Sequence, residues 1–135
     1  MKLVVDANVL FAGLIRDGVT AELLCNSRLE LFVPQFVYEE YDLHQHEILE
    51  KTHRTNIAEF MERIRGILKI TQPTAGYLQK AEGITPDAKD TQYIALALQL
   101  GCPVWSNDKR LKGCGVPVLT TAELLQKDEK QKPYK

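Results

Sequence analysis

Short apolar runs alternate in this chain with longer stretches whose apolar residues recur every third or fourth position, and few folds accept such a switching of period. Lys2–Val5 is a β-branched run. Val9, Leu10, Gly13 and Leu14, then Ala21, Leu24 and Cys25, follow at helical spacing, with a break at Asp17-Gly18. A strand is predicted over 31–33, and Pro34 suits the first turn of the helix after it, where a missing N–H costs little. That helix should turn Val37, Tyr41, Ile48 and Leu49 inward and bend near His44-Gln45-His46. Asn56 and Glu59 have capping-box spacing ahead of a stripe of Ile57, Phe60, Met61, Ile64, Ile67 and Leu68. Residues 69–71 read as a strand or a connector, and 77–81 as a short helix. Thr85 as cap, with Pro86 at the first helical position, should open a helix that stops at Gly101. Strands over 104–106 and 116–119 follow, and Thr120 with Glu123 caps a last short helix.

Strands separated by helices need right-handed crossovers, and these give a parallel sheet covered on both faces. The predicted fold class is therefore α/β, a three-layer α/β/α sandwich with a central, mainly parallel sheet. The 135 residues suffice for one domain, assigned to 1–127, and the charged stretch 128–135 reads as a flexible C-terminal tail. No apolar segment has the length of a membrane span, and only three apolar residues separate Lys2 from Asp6, too few for a secretory signal. Three widely spaced cysteines without a CxxC pair fit a reduced, cytoplasmic setting. A net charge of −1 does not exclude a nucleic-acid partner, because acids gathered in one pocket leave the remaining surface more basic than the total.

The acids carry the chemistry. The run Leu3-Val4-Val5 ends at Asp6, Val104-Trp105-Ser106-Asn107 ends at Asp108, and Asp87-Ala88-Lys89-Asp90 opens an apolar helix. Strands of a parallel sheet all end on one edge, so acids there converge in space while lying far apart in sequence. Carboxylates crowded together do not stay ionised without positive charge, and a hard divalent cation, Mg²⁺ or Mn²⁺, is the usual remedy. Asp6 taken alone is also a good N-cap for the helix that follows. Asp87 and Asp90 share a helix face and can approach the same ion. Glu40 lies on the flank of the stripe made by Val37 and Tyr41, whereas Glu39 is rotated toward solvent. His46, Glu50 and His53 have the spacing of a zinc face, but their charged neighbours favour a solvated surface. Cys102 and Cys114 read as core residues. No Ser-His-Asp relay, Walker loop or GxGxxG is present.

In this order the segments resemble the PIN-domain family of metal-dependent ribonucleases, many of them toxins of bacterial and archaeal toxin–antitoxin pairs. Val4-Val5-Asp6-Ala7-Asn8-Val9-Leu10 is similar to the family's first motif and Phe36-Val37-Tyr38-Glu39-Glu40-Tyr41 to its second. Asp87-Ala88-Lys89-Asp90 resembles the third motif and Trp105-Ser106-Asn107-Asp108 the fourth. The resemblance implies that Asp6, Glu40, Asp90 and Asp108 hold the metal and are catalytic, with Asn8 and Ser106 supporting them by hydrogen bonds. It implies a Mg²⁺- or Mn²⁺-dependent endoribonuclease acting on single-stranded RNA or a loop, with a small antitoxin as partner and dimers common. Tyr41 departs from the usual aliphatic residue, and 44–55 is more polar than the pattern. Two other readings compete. A haloacid-dehalogenase phosphatase would need an Asp where Asn8 stands, and a non-catalytic interaction module would keep the fold without the reaction.

Overall fold

The computed structural model describes residues 1–131. Its strands are β1 (Lys2–Val5), β2 (Glu30–Val33), β3 (Lys69–Ile70), β4 (Val104–Trp105) and β5 (Val118–Leu119). They form one parallel sheet in the order β3-β2-β1-β4-β5. Leu3, Val4 and Val5 are fully buried, as a strand covered on both faces demands. The helices are α1 (Ala7–Ile15), α2 (Val19–Leu24), α3 (Phe36–Lys51), α4 (Ile57–Ile67), α5 (Ala75–Glu82), α6 (Thr91–Leu100) and α7 (Thr121–Gln131). The result is the expected α/β/α sandwich.

Two helices set the site. α6 is buried without interruption from Tyr93 to Ala97, lies over β1 and β4 and has α5 against its outer side. Its end is fixed by Gly101, whose positive φ of 63° is the left-handed stop that glycine adopts without strain. α1 begins directly after β1 and packs against α2, α3 and α4. It approaches α2 so closely that a Cβ at Gly13 would overlap the Leu24 side chain.

The polar connector after α3 serves α1. Thr52 Oγ1 donates to the Leu14 carbonyl at 2.9 Å, and the His53 N–H donates to the Ile15 carbonyl at 3.0 Å. Arg54 donates to the Gly13 carbonyl through Nη2 at 2.8 Å and to the Arg16 carbonyl at 3.2 Å. Helix ends leave their last carbonyls without partners, and here a neighbouring segment supplies donors. The Arg54 guanidinium also stacks 3.4 Å from the Phe60 ring centroid.

Several local expectations are corrected. α3 runs unbroken through His44-Gln45-His46, and Leu49 faces solvent. The Asn56 side chain makes no capping bond, because its backbone lies outside the usual cap conformation; only its carbonyl accepts, from Phe60. α5 starts at Ala75 rather than at 77. Thr85 does not cap the next helix; it pairs with the Thr91 hydroxyl at 3.1 Å. Asp87 caps instead, accepting from the Lys89 N–H at 3.0 Å at the start of a 3₁₀ turn, Ala88–Asp90. A carboxylate is the stronger acceptor for a helix-start N–H. The capping box at Thr120 and Glu123 does form, with reciprocal bonds of 3.1 and 3.2 Å. Where a tail was expected from 128 on, α7 continues to Gln131; positions 132–135 lie outside the described residues. Asp128 is buried there and accepts from Asn26 Nδ2 at 2.9 Å and from Arg28 Nε and Nη2 at 3.0 and 2.9 Å.

Arg54→Ala strips donors from the end of α1 and removes the stack on Phe60. It is expected to lower the unfolding free energy by about 1–3 kcal/mol in urea titrations, the range for partly buried acceptors left unsatisfied. Arg54→Lys should recover only part of this, because it lacks the planar fork.

Candidate metal centre

The strand order reverses its direction of growth between β1 and β4, so a crevice opens at their C-terminal ends. Asp6 follows β1 and Ser106-Asn107-Asp108 follows β4. The Asp6 N–H extends the ladder to the Trp105 carbonyl at 3.1 Å, and the Ser106 N–H does so to Leu119 at 3.0 Å. Both residues are thus fixed by sheet hydrogen bonds before any side chain is considered.

Ser106 is fully buried, and its hydroxyl links two acids. Oγ donates to Asp6 Oδ2 at 2.7 Å and accepts from the Asp108 N–H at 3.0 Å. The Asp6 carboxylate makes no full capping hydrogen bond to α1 but a weak contact with the Asn8 N–H; the helix start is held by the Asp6 carbonyl, which accepts from Val9 and Leu10. Burial raises the Asp6 pKa, partly offset by Ser106 and the Asn8 N–H.

Asp90 enters from the other side of the crevice, at the junction of the 3₁₀ turn with α6. Its Oδ2 is buried and has no hydrogen-bond partner among the described residues. Burial first, then Asp6, Asp108 and Asp87, push its pKa up to about 6. Glu40 reaches in from α3, where Tyr93 OH donates to its Oε1 at 2.7 Å. Its pKa is raised by burial and by Asp6. Tyr93 is itself buried, edge-on to Phe36, and burial and Glu40 hold its phenol well above the ordinary value. Tyr93 carries little signal in the sequence, an aromatic hydroxyl one helical turn after Asp90.

Asp108 behaves differently. It caps the 3₁₀ turn Lys109–Leu111, and its carboxylate is paired with Arg110 at 2.7 Å. Hydrogen bonds from Arg110 hold its pKa below the usual range. Asn8 is exposed at the rim, lining with Val9, Asn107 and Asp108 an open cavity of about 290 Å³; its contribution to Asp6 is its backbone N–H. Asp87 is half-buried and acts as the turn's cap. Glu39 is exposed.

Asp6, Glu40, Asp90 and Asp108 therefore influence one another electrostatically, yet no group of three or more His, Cys, Asp or Glu closes into a metal-ready cluster among the described residues. The donor set still fits a hard cation. It consists of carboxylate oxygens, three of its acids are held toward neutrality by burial and like charge, and one buried oxygen has no partner. The zinc face does not form. His46 is 89% exposed and pairs with Glu50 at 2.9 Å, while His53 lies past the end of α3.

Solved structures share this fold. PAE2754 from Pyrobaculum aerophilum is similar with a TM-score of 0.70 and 16% identity, covering 97% of each chain. VapBC2 from Rickettsia felis, bound to a DNA fragment from its promoter, gives 0.64 and 12% identity over 89% of this chain and 98% of that one. FitAB bound to an IR36 DNA fragment gives 0.61 and 15% over 90% and 95%. No curated protein sequence matches significantly. The PIN domain profile matches residues 4–129, from the first strand of the sheet into its last helix, and the chain belongs to the PIN-domain family.

Proposed function

We propose that this chain is a Mg²⁺- or Mn²⁺-dependent endoribonuclease in which Asp6, Glu40, Asp90 and Asp108 hold the cation. The observation that supports this most is the unpartnered, buried Oδ2 of Asp90 beside Asp6 at the point where the strand order reverses. When bound, the cation supplies a Lewis acid that polarises the scissile phosphate and lowers the pKa of an attacking water. The residues of the chain do the positioning. Ser106 fixes one oxygen of Asp6, and Tyr93 fixes one oxygen of Glu40, leaving the other oxygen of each acid free of these bonds. Asn8 at the rim and Asp87, whose charge reaches Asp90, are supporting groups. The substrate is RNA, single-stranded or looped, by the family resemblance. Asn8 in place of a second aspartate argues against the phosphatase reading.

A small protein partner of antitoxin type fits the similarity to VapBC2 and FitAB. A homodimer is part of the same proposal. So is a cytoplasmic setting, supported by three cysteines that are all free. No helix among the described residues is long and apolar enough to cross a membrane.

Asp6→Asn, Asp90→Asn and Glu40→Gln should each reduce RNA cleavage on the order of a hundredfold or more, since groups that merely orient a metal ligand already cost about 10- to 100-fold. Ser106→Ala and Tyr93→Phe belong in that smaller range, and Glu39→Gln should be near wild type. Cleavage assays on mixed RNA with EDTA and Mn²⁺ add-back test the cation directly. Products should carry 5′-phosphate and 3′-hydroxyl ends; a 2′,3′-cyclic phosphate would mean that the RNA's own hydroxyl attacks.

The Asp90 shift has a second consequence. Its folded pKa of about 6 lies above the ordinary aspartate value of 3.8, so between them the folded state binds more protons than the unfolded one. Stability from this group is complete at low pH and is lost as pH rises through about 6. Asp90→Asn should therefore stabilise the metal-free protein at pH 7, by on the order of 1–2 kcal/mol once solvent screening is allowed for. The gain should vanish near pH 4, and Mg²⁺ should raise the melting temperature of wild type more than that of the variant. Melting curves across this pH range decide it; a destabilised variant with an equal Mg²⁺ shift would remove the electrostatic support for the metal reading.

A further inference from the structure

Of the acids in the crevice, Asp108 already has a cation, and the protein supplies it. Oδ1 accepts from the Arg110 N–H at 2.9 Å and from Nε at 3.1 Å, while Oδ2 accepts from Nη2 at 2.7 Å and from Nε at 3.2 Å. Both oxygens are occupied by one guanidinium, in the fork geometry that makes arginine a good partner for carboxylates. The contact is local. Asp108 and Arg110 lie two residues apart on a 3₁₀ turn that the same carboxylate caps, so the arginine accompanies the acid. The Asp108 backbone is pinned through Ser106, and the carboxylate is freed most readily by the arginine swinging away. The Arg110 side chain is 63% exposed, and among the described residues its guanidinium hydrogen-bonds to Asp108 alone, so that swing meets little resistance. Its charge also reaches Asp90, whose buried oxygen lacks a partner.

We propose that Arg110 is a latch on the carboxylate site: its guanidinium holds Asp108 in competition with the divalent cation, and the two exchange. This rests on the metal reading given above. Guanidinium and cation compete for the same oxygen lone pairs and repel each other at that distance, so each weakens the other's hold. The resting site therefore offers Asp6, Glu40 and Asp90 to an incoming ion, and Asp108 joins only when Arg110 leaves. The neighbouring Lys109 carries the same charge and is exposed, but among the described residues the ion pair of Asp108 is with Arg110 and not with Lys109, so Lys109 separates contact from charge.

The test is Mn²⁺ binding to the intact chain, followed by electron paramagnetic resonance of the free ion and by calorimetry, with no substrate present. Arg110→Gln should bind Mn²⁺ about two- to fivefold more tightly than wild type, the size expected when an exposed ion pair is removed. Arg110→Lys keeps the charge but loses the fork, and should fall between the two. Lys109→Gln should match wild type. If Arg110→Gln binds like wild type, or if Lys109→Gln gains as much as Arg110→Gln, the latch is overturned while the metal site stands. If wild type and all variants fail to bind Mn²⁺ although circular dichroism shows them folded, the metal reading itself fails and the latch goes with it.

Discussion

Carboxylates taken out of water beside one another repel, and the surroundings of Asp6, Glu40 and Asp90 are arranged against that repulsion. Two hydroxyl donors do most of this, Ser106 on Asp6 and Tyr93 on Glu40. Each is buried, and each is held by an element with its own reason to be there: Ser106 by the sheet ladder, Tyr93 by the fully buried stretch of α6. Asp90 receives no such donor and has the pKa of about 6 that follows. The mutual repulsion is borne by the packing of the sheet and α6 around the crevice, and an ion of opposite charge would relieve it.

The far end of α1 belongs to the same arrangement. Asp6 sits at the helix start, and Thr52, His53 and Arg54 hold the carbonyls at its end. A short helix tied at one end by sheet bonds and at the other by a connector has little freedom to tilt. The polarity of 44–55, which looked out of place in the sequence, is explained near its end by this tie; the preceding part is a solvent-facing helix surface with local ion pairs such as Glu47 with Lys51.

What was legible beforehand was what local chemistry controls. The β-branched run before Asp6, the Thr120–Glu123 box and the Gly101 stop depend on neighbours in sequence, and the structure has them. The sheet followed because alternating strands and helices leave few topologies. Contacts between distant segments were not visible. Nothing in the sequence marks Tyr93 as the donor to Glu40, since the partners are 53 residues apart. The same holds for Asp128 and Arg28, 100 residues apart, which turn an apparently loose, charged end into packed helix. Thr85 and Asp87 competed for one cap, and the carboxylate took it. The low identity to the similar structures has the same lesson: the fold is shared, and any function must be argued from the side chains in the crevice.

The pairing of β1 with β4 joins Val4 to Val104 and Val5 to Trp105. Protein chains are made from the N-terminus, and a strand at position 104 leaves the ribosome long after one at position 4. For most of its synthesis the chain therefore carries Asp6 at the end of a strand with one side unpaired. The crevice is assembled only when β4 has emerged and docked beside β1. Asp6 and Asp108 therefore cannot act together before that pairing forms.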